Sequence, residues 1–382
     1  MFISDTHLPQ LLPAKAYSDE AWYAREVADV LVPAWHAVAT TNQFPNDGSF
    51  VSFELLGNPV VLRRNEGVIR AFLNVCPHRS AKVMNESSGC AATLKCGYHG
   101  WEFDGQTGQT KRIPDAPSFR PLKKGSLGLL NFQVEVCGGI VFVSVGKPSE
   151  SVAAQLQASG CDAVARTSDT NCVGHTEVSL DVNWKVAVEN TLESYHIAEV
   201  HPRTFGAAPV EDACTHNLMV DSTAFAGPGD HRWIVRKIEG IILQGMGLKR
   251  RGDYRHTHVH PTFTIATTDS FTILWSYLPE SAKRTRVIVN WFARQKQGCA
   301  MLPNWLMRQW ARIQSPFWLK VFAEDRLAVQ RVQSGLDAVD QPGCGLISRR
   351  EERITHFQRW VLNQLDQPAV GSFENEERKC HD

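Results

Sequence analysis

The sequence predicts an α+β protein built from two domains. The first observation is a region from residue 36 to residue 150, in which short β-type runs such as Phe50–Leu55 and Ile140–Val143 alternate with Gly and Pro turns. This pattern is typical of a small antiparallel β domain. The second is residues 151–382, which mix strand-like and helix-like segments. The third is the length of 382 residues, which is enough for two hydrophobic cores.

The remaining elements follow from apolar spacing and from Gly and Pro positions. Residues 1–35 should form a helical segment packing on the second domain, because Asp19–Val32 has helical spacing and Pro33 would end that helix. The polar residues from Lys147 to Thr170 are expected to be a linker or an exposed helix. The second domain is predicted to combine an antiparallel sheet with helices: helices over Trp184–Val200, Leu302–Gln333 and Ser348–Leu365, and strands within Tyr254–Tyr277 and Arg284–Arg294.

Composition excludes several classes of function. Hydrophobic residues make up 43% of the chain, and 40 basic residues balance 40 acidic ones. This balance gives no electrostatic reason to expect nucleic acid or a membrane surface as a partner. No signal peptide or bilayer-spanning run is visible, so we expect a cytoplasmic protein. The ten cysteines then indicate reduced thiols or metal ligands instead of a disulfide framework.

The predicted β domain contains two Cys/His pairs, Cys76–Pro77–His78 and Cys96–Gly97–Tyr98–His99. Each pair presents one thiolate and one imidazole from a short loop. Two Cys and two His can form a closed tetrahedral zinc site. They can also hold a [2Fe–2S] cluster, with the cysteines on one iron and the histidines on the other. Because Cys and His alternate within each loop, one loop can reach both irons, and this favours the cluster.

The second domain contains two imidazoles with nearby carboxylates in the segment Glu189–His201. A non-haem Fe(II) site needs two histidines and one carboxylate on one face of the metal, with the other positions open. His196 and His201 are five residues apart, which rotates them by about 140° around an ideal helix. Joint binding of one metal therefore predicts a distortion or a helix end at this point.

These motifs resemble those of a known family. Cys76-x-His78 and Cys96-x-x-His99 followed by Gly100–Trp101 resemble the Rieske motif. Electron-transfer Rieske proteins add a disulfide cysteine to each loop, whereas Ala81 stands at the first of those positions here. The later order of residues resembles the catalytic signature of Rieske non-haem iron ring-hydroxylating oxygenases, α subunit. It comprises Asn183–Trp184–Lys185, Glu189–Asn190, Glu193, Tyr195–His196 and His201–Pro202.

The resemblance implies roles for particular residues. A Rieske domain over residues 36–150 would bind a [2Fe–2S] cluster through Cys76, His78, Cys96 and His99. A catalytic domain over residues 151–382 would bind mononuclear Fe(II) through His196, His201 and Asp325, with Glu324 as the alternative third ligand. Glu193 would contact His196 and join the iron site to His99 of a neighbouring subunit. This bridge implies a homotrimer.

The resemblance also implies an enzyme, a mono- or dioxygenase that uses O2 to hydroxylate a small aromatic or alicyclic molecule. Electrons would come from NAD(P)H through a separate reductase, with or without a ferredoxin, because the chain has no Gly-rich dinucleotide fingerprint following a strand. One alternative is N- or O-demethylation or hydroxylation of a quaternary ammonium or methylated substrate. Another, of a different class, is a Rieske electron carrier without oxygenase activity.

Two further groups invite a functional interpretation. His256, His258 and His260 would share one face of a strand, and we interpret them as packing or supporting residues in preference to ligands. Five aromatic residues are candidates for a substrate pocket or for the core, and a cluster of them could hold a cationic substrate by cation–π contact. They are Trp233, Phe263, Phe271, Trp275 and Trp291.

Overall fold

The computed structural model describes residues 2–123, 125–229, 232–339 and 345–366. The chain forms two compact units. One unit comprises residues 1–31, 153–167 and 171–382, and it is called the catalytic unit after the domain that the resemblance predicts to be catalytic. The other, the β unit, comprises residues 32–152 and 168–170. The α+β fold class is confirmed. Among the described residues, no helix combines the length and the apolar character needed to cross a bilayer.

The β unit contains two antiparallel sheets. The seven-stranded sheet has the spatial order His36–Thr40, Ile140–Ser144, Asn131–Cys137, Val68–Leu73, Asn58–Asn65, Ser49–Leu55 and Ser88–Cys90. The three-stranded sheet contains Leu94–Lys95, Glu102–Phe103 and Thr110–Arg112. In the seven-stranded sheet, hairpins join three of the six neighbouring strand pairs, at turns that Gly and Pro predicted.

The core of the β unit includes the two motif cysteines. Cys76 and Cys96 pack in one apolar cluster with Phe72, Trp101 and other buried residues. The buried Asn74 ties the first motif loop to this core: its Oδ1 accepts hydrogen bonds from the backbone amides of Val83 (3.1 Å) and Met84 (2.8 Å). Both loops are thereby fixed by the packing of the whole unit.

The catalytic unit is built on a second seven-stranded antiparallel sheet. Its spatial order is Cys172–Leu180, Arg284–Ala293, Phe271–Ser281, Phe263–Thr267, Asp253–Val259, Ser222–Pro228 and Thr215–Met219. The α-helices are α1 (Glu20–Glu26), α2 (Val152–Ala158), α3 (Trp184–Thr191), α4 (Ile197–Val200), α5 (Trp233–Gly245), α6 (Met301–Ala338) and α7 (Glu352–Gln364). Leu8–Pro9 and Leu346–Ile347 form a small separate sheet. Helix α6 packs on α3 and on one edge of the large sheet.

A buried ion pair attaches the N-terminal helix to α3. Lys185 Nζ lies 2.6 Å and 2.8 Å from the two carboxylate oxygens of Glu26, and neither side chain is exposed. Trp184 Nε1 and Trp22 Nε1 also donate to Glu26, each at 2.9 Å. The Glu26 carboxylate is therefore fully enclosed by donors.

Two sequence predictions differ from the structure. The helix expected over Trp184–Val200 is interrupted, since α3 ends at Thr191 and α4 begins only at Ile197. Helix α5 was not predicted, because its residues lack the capping signals that mark a helix start: Arg232 at the N-cap makes no side-chain capping bond.

The ion pair gives a first prediction. Lys185→Met leaves the Glu26 carboxylate buried without its cation, so the free energy of unfolding should fall by about 3–5 kcal/mol. The double variant Glu26→Gln/Lys185→Met removes both charges and should recover most of the loss. Urea unfolding followed by tryptophan fluorescence tests this, and a single variant as stable as the wild type would contradict it.

Candidate metal centres

The two motif loops of the β unit have matching backbone geometry. In the first, Ser80 N donates to Cys76 O (2.9 Å), and in the second, Gly100 N donates to Cys96 O (3.0 Å). Ser80 (φ 57°) and Gly100 (φ 74°) both have the left-handed conformation that closes each turn. The same four-residue step thus presents each cysteine together with its histidine.

The two cysteines of these loops share one core cluster, and the two histidines lie side by side. The thiols of Cys76 and Cys96 are free and buried, and the imidazole centroids of His78 and His99 are 4.6 Å apart. Nδ1 of His78 is buried and has no hydrogen-bond partner among the described residues. A buried nitrogen of this kind needs a partner. The donor set of two thiols and two imidazoles fits a [2Fe–2S] cluster of the Rieske type.

The second centre lies where the predicted helix is interrupted. His196 directly precedes α4 and His201 directly follows it, with a non-helical backbone at His201 (φ −117°, ψ 40°). The distortion predicted from the five-residue spacing is therefore confirmed. It places both imidazoles on the same side of the chain, with ring centroids 5.3 Å apart.

Asp325 of α6 meets these two imidazoles. One ligand atom from each of His196, His201 and Asp325 lies within 4.8 Å of the others. Asp325 Oδ1 is 3.0 Å from His201 Nε2 and 3.6 Å from His196 Nε2. Asn190 Nδ2 also donates to Asp325 Oδ1, at 3.1 Å. Two imidazoles and one carboxylate on one side form a donor set suited to Fe(II).

Two other carboxylates orient the imidazoles. The Glu193 carboxylate is hydrogen-bonded to His196 Nδ1, and it also accepts a hydrogen bond from the backbone amide of His196 (3.1 Å). Glu324 Oε2 lies 2.8 Å from His201 Nδ1 and accepts from Thr204 Oγ1 at 2.7 Å. A proton on Nδ1 shared with a carboxylate leaves the Nε2 lone pair available to a metal. Glu324, the alternative third ligand, is engaged in this supporting contact.

The same contacts govern the pKa values of these groups. Burial lowers the pKa of His196, but Glu193 and Asp325 outweigh it, and the net shift is upward. His201 behaves likewise, with Asp325 and Glu324 opposing burial. Burial raises the pKa of Glu324, but its contacts with His201 and Thr204 together lower the pKa by more, so the net shift is downward. The two imidazoles thus lie in a strongly negative environment that suits a cation.

The three candidate ligands line a cavity of about 380 Å³, within the usual size range of small-molecule sites. Of the five aromatic residues considered from the sequence, Phe271 and Trp275 line this cavity. Trp233 is 70% exposed, so a pocket role for it is wrong. Phe263 and Trp291 are buried in the core and do not line the cavity.

His256 and His258 lie two residues apart in the strand Asp253–Val259 and share one side of it, whereas His260 follows the end of that strand, and all three are buried. Within the described part of the chain they form no group with metal-binding spacing. His258 Nδ1 lies 2.9 Å from Thr264 Oγ1, and His260 packs against Trp360 at 4.9 Å. These contacts agree with our interpretation of the three histidines as packing residues. His256 in addition lines the cavity.

Sequence reasoning missed part of the cavity wall. Phe205, Phe317 and Trp318 contribute aromatic surface, and Tyr254 and Arg353 contribute polar groups. No sequence spacing marks them, because they come from separate elements that only the fold brings together. The burial of Arg353 could not be read from the sequence, because α7 also buries other polar residues such as Glu352 and Gln358.

Fold and donor sets together define a two-centre iron protein of the Rieske oxygenase class. The family described as ring hydroxylating alpha subunit (catalytic domain) matches residues 167–367, and the family described as Rieske [2Fe-2S] domain matches residues 34–127. The chain belongs to the family of ring-hydroxylating oxygenase α subunits.

Several characterised proteins are similar to this chain. The carnitine monooxygenase oxygenase subunit of Escherichia coli K12 is 29% identical over 197 residues, which cover 50% of this chain and 52% of that protein. The match thus spans about half the length of that relative. The glycine betaine monooxygenase oxygenase subunit of Chromohalobacter salexigens is 24% identical over 94% of this chain and 87% of its own.

Solved structures share the fold. A quaternary ammonium Rieske monooxygenase in complex with an inhibitor superposes with a TM-score of 0.73 at 21% identity, covering 93% of this chain and 95% of that one. Naphthalene 1,2-dioxygenase with bound indole gives a TM-score of 0.75 at 17% identity, covering 94% and 92%.

The contact between Glu324 and His201 gives a second prediction. Glu324→Gln weakens the hydrogen bond that orients His201 through its Nδ1–H. The affinity of the catalytic unit for iron should therefore fall about 10–100-fold. Glu280→Gln, an exposed carboxylate of the same unit, should leave it unchanged. Competition for iron against a chelator measures both variants, and equal affinities would exclude the supporting role of Glu324.

Proposed function

We propose that this protein is the oxygenase component of a Rieske system, and that it hydroxylates a small organic molecule with O2. The main evidence is that His196, His201 and Asp325 come together on the wall of a cavity that is large enough for a small substrate. Bound Fe(II) would supply open coordination positions for dioxygen. The three side chains would hold one face of the metal, and aromatic side chains line the cavity beside it.

In this proposal, the β unit binds the cluster that stores the electrons. Cys76 and Cys96 would hold one iron of the cluster, and His78 and His99 the other. The His99 side chain is exposed, so it is accessible to a group outside its own unit. We propose that Glu193 joins His196 to His99 of a neighbouring subunit in a homotrimer. A separate NAD(P)H-dependent reductase, with or without a ferredoxin, would deliver the electrons.

A quaternary ammonium or other methylated substrate is the second candidate, with hydroxylation or demethylation as the reaction. Relatives named for carnitine, glycine betaine and choline cover large parts of this chain. The cavity wall includes Phe271, Trp275 and Trp318, whose ring faces attract a cationic methylammonium group. An aromatic or alicyclic substrate would use the same rings through apolar contact.

The proposal is tested by iron analysis followed by turnover. Purified protein should contain about three irons per chain, two in the cluster and one at the facial site. After anaerobic reduction, a panel of aromatic and quaternary ammonium compounds is added, and oxygen uptake coupled to product is measured. If the protein contains only the two irons of the cluster and shows no oxygen uptake coupled to product, it is an electron carrier, and the oxygenase proposal is contradicted.

A third prediction separates the two centres. His196→Ala removes one facial donor, so turnover should be abolished while the absorption spectrum of the cluster stays intact. His7→Ala, an exposed imidazole of the same unit, serves as the control and should retain both. Loss of the cluster spectrum in His196→Ala would contradict the assignment of separate sites.

A fourth prediction concerns electron delivery. Glu193→Gln keeps the size of the side chain but removes its charge, so electron transfer between the centres should slow. Because Glu193 also supports His196, the variant is loaded with excess Fe(II), so that both metals are bound when the rate is measured. Single-turnover kinetics with the pre-reduced protein measures this step. A wild-type rate would show that Glu193 does not carry the bridge.

A further inference from the structure

Arg353 of α7 is a buried cation on the wall of the cavity that holds the candidate iron ligands. Its side chain is only 1% exposed. A charge removed from water is costly unless an opposite charge or a full set of hydrogen bonds compensates it. The partners of this guanidinium therefore indicate what it binds.

Only some of the N–H donors of the Arg353 guanidinium make hydrogen bonds within the described part of the protein. Nε donates to Thr223 Oγ1 at 3.0 Å, and Nη2 donates to the Thr223 carbonyl at 3.4 Å and to His256 Nδ1 at 3.1 Å. All of these acceptors are neutral. A guanidinium carries five N–H donors, and Nη1 makes no hydrogen bond with any of the described residues.

Neighbouring acidic groups do not neutralise this cation. Glu352, the adjacent residue, is engaged elsewhere: it accepts from the amides of Ile3 (2.9 Å) and Ser4 (2.7 Å) and lies 2.8 Å from His216 Nδ1. Burial lowers the pKa of Arg353 to about 9, despite opposing effects of Tyr254, Tyr277 and Glu352. The guanidinium therefore remains charged at neutral pH.

His256 adds a second donor beside Arg353. Because a guanidinium can only donate, His256 Nδ1 accepts, and the proton of the neutral ring is on Nε2. Burial, aided by Arg353, holds the pKa of His256 well below its usual value, so the ring stays neutral. Tyr254 and Tyr277, also on the cavity wall, are close enough to both Arg353 and Asp325 for each charge to affect their pKa values.

We propose that Arg353 binds a carboxylate group of the substrate, with the Nε2–H of His256 as a second donor. The inference rests on the proposed function, because it names the substrate class of the same cavity. A guanidinium binds a carboxylate through paired hydrogen bonds, and the negative charge of the carboxylate would compensate the buried positive charge of Arg353. The substrate would be a small monocarboxylate whose other end reaches the candidate iron ligands past the aromatic wall.

The test compares each carboxylate with a close analogue in which an uncharged ester or amide replaces the carboxylate. Purified holo-protein, oxidised and without reductase, is titrated by calorimetry with two pairs: γ-butyrobetaine and its methyl ester, and benzoate and benzamide. In at least one pair the carboxylate should bind at least about ten-fold more tightly. The pair that shows the preference distinguishes a betaine from an aromatic acid. Equal affinity within both pairs, or no binding of either carboxylate, overturns the inference.

Variants assign the preference to Arg353. Arg353→Gln should weaken carboxylate binding by about 10–100-fold and remove the preference over the ester or amide analogue. Arg353→Lys keeps the charge without the paired geometry and should bind at an intermediate affinity. Arg359→Gln, an exposed arginine of the same helix, is the matched control. Circular dichroism checks folding; if the Gln variant does not fold, Arg353→Lys decides, and wild-type affinity in either folded variant contradicts the role.

The binding assay separates this inference from the proposed function. Binding requires neither dioxygen nor reductant. Coupled oxygen uptake without carboxylate preference would contradict only the role of Arg353. Carboxylate preference in a protein without iron at the facial site would contradict only the oxygenase proposal.

Discussion

The catalytic centre depends on carboxylates that fix the two imidazoles from behind. Glu193 holds His196, and Glu324 holds His201, in each case through Nδ1. The Nε2 atoms then face Asp325. Glu324 and Asp325 are consecutive residues of α6, so one helix supplies both the support for an imidazole and the third candidate ligand. A small shift of α6 would therefore disturb two contacts together, and such sensitivity is expected of a site held by supporting residues.

A buried polar network keeps α3 in place beside this centre. Tyr17 donates to Glu189 at 2.7 Å, and Gln358 of α7 donates to the same carboxylate at 3.0 Å. Burial raises the pKa of Glu189 to about 7, although both of these hydrogen bonds and Lys185 lower it. The network connects the N-terminal segment, α3 and α7. Since α7 also carries Arg353, the same frame fixes the candidate metal ligands and the proposed carboxylate site.

In the β unit, the candidate ligands differ in their exposure to solvent. Its two cysteines are part of the apolar core, whereas His99 is exposed and His78 stacks on Trp101 at 5.1 Å. The thiol side of the centre is therefore shielded, and the imidazole side reaches the surface of the unit. This arrangement suits a cluster that exchanges electrons through a histidine, because the exposed ring is the group that a partner can contact.

The sequence by itself determined the fold class, the Cys/His loops and the helix distortion between His196 and His201. These features depend on local spacing: short strands between turns, pairs of donors in tight loops, and a five-residue step that a regular helix cannot accommodate. The family resemblance favoured Asp325 over Glu324, but only the tertiary structure showed that Asp325 meets the histidines while Glu324 supports one of them, because adjacent carboxylates on a helix have the same local sequence signal. It also decided the cavity wall and the exposure of Trp233. Residues from distant elements become neighbours only through packing, and packing leaves no spacing pattern in the chain.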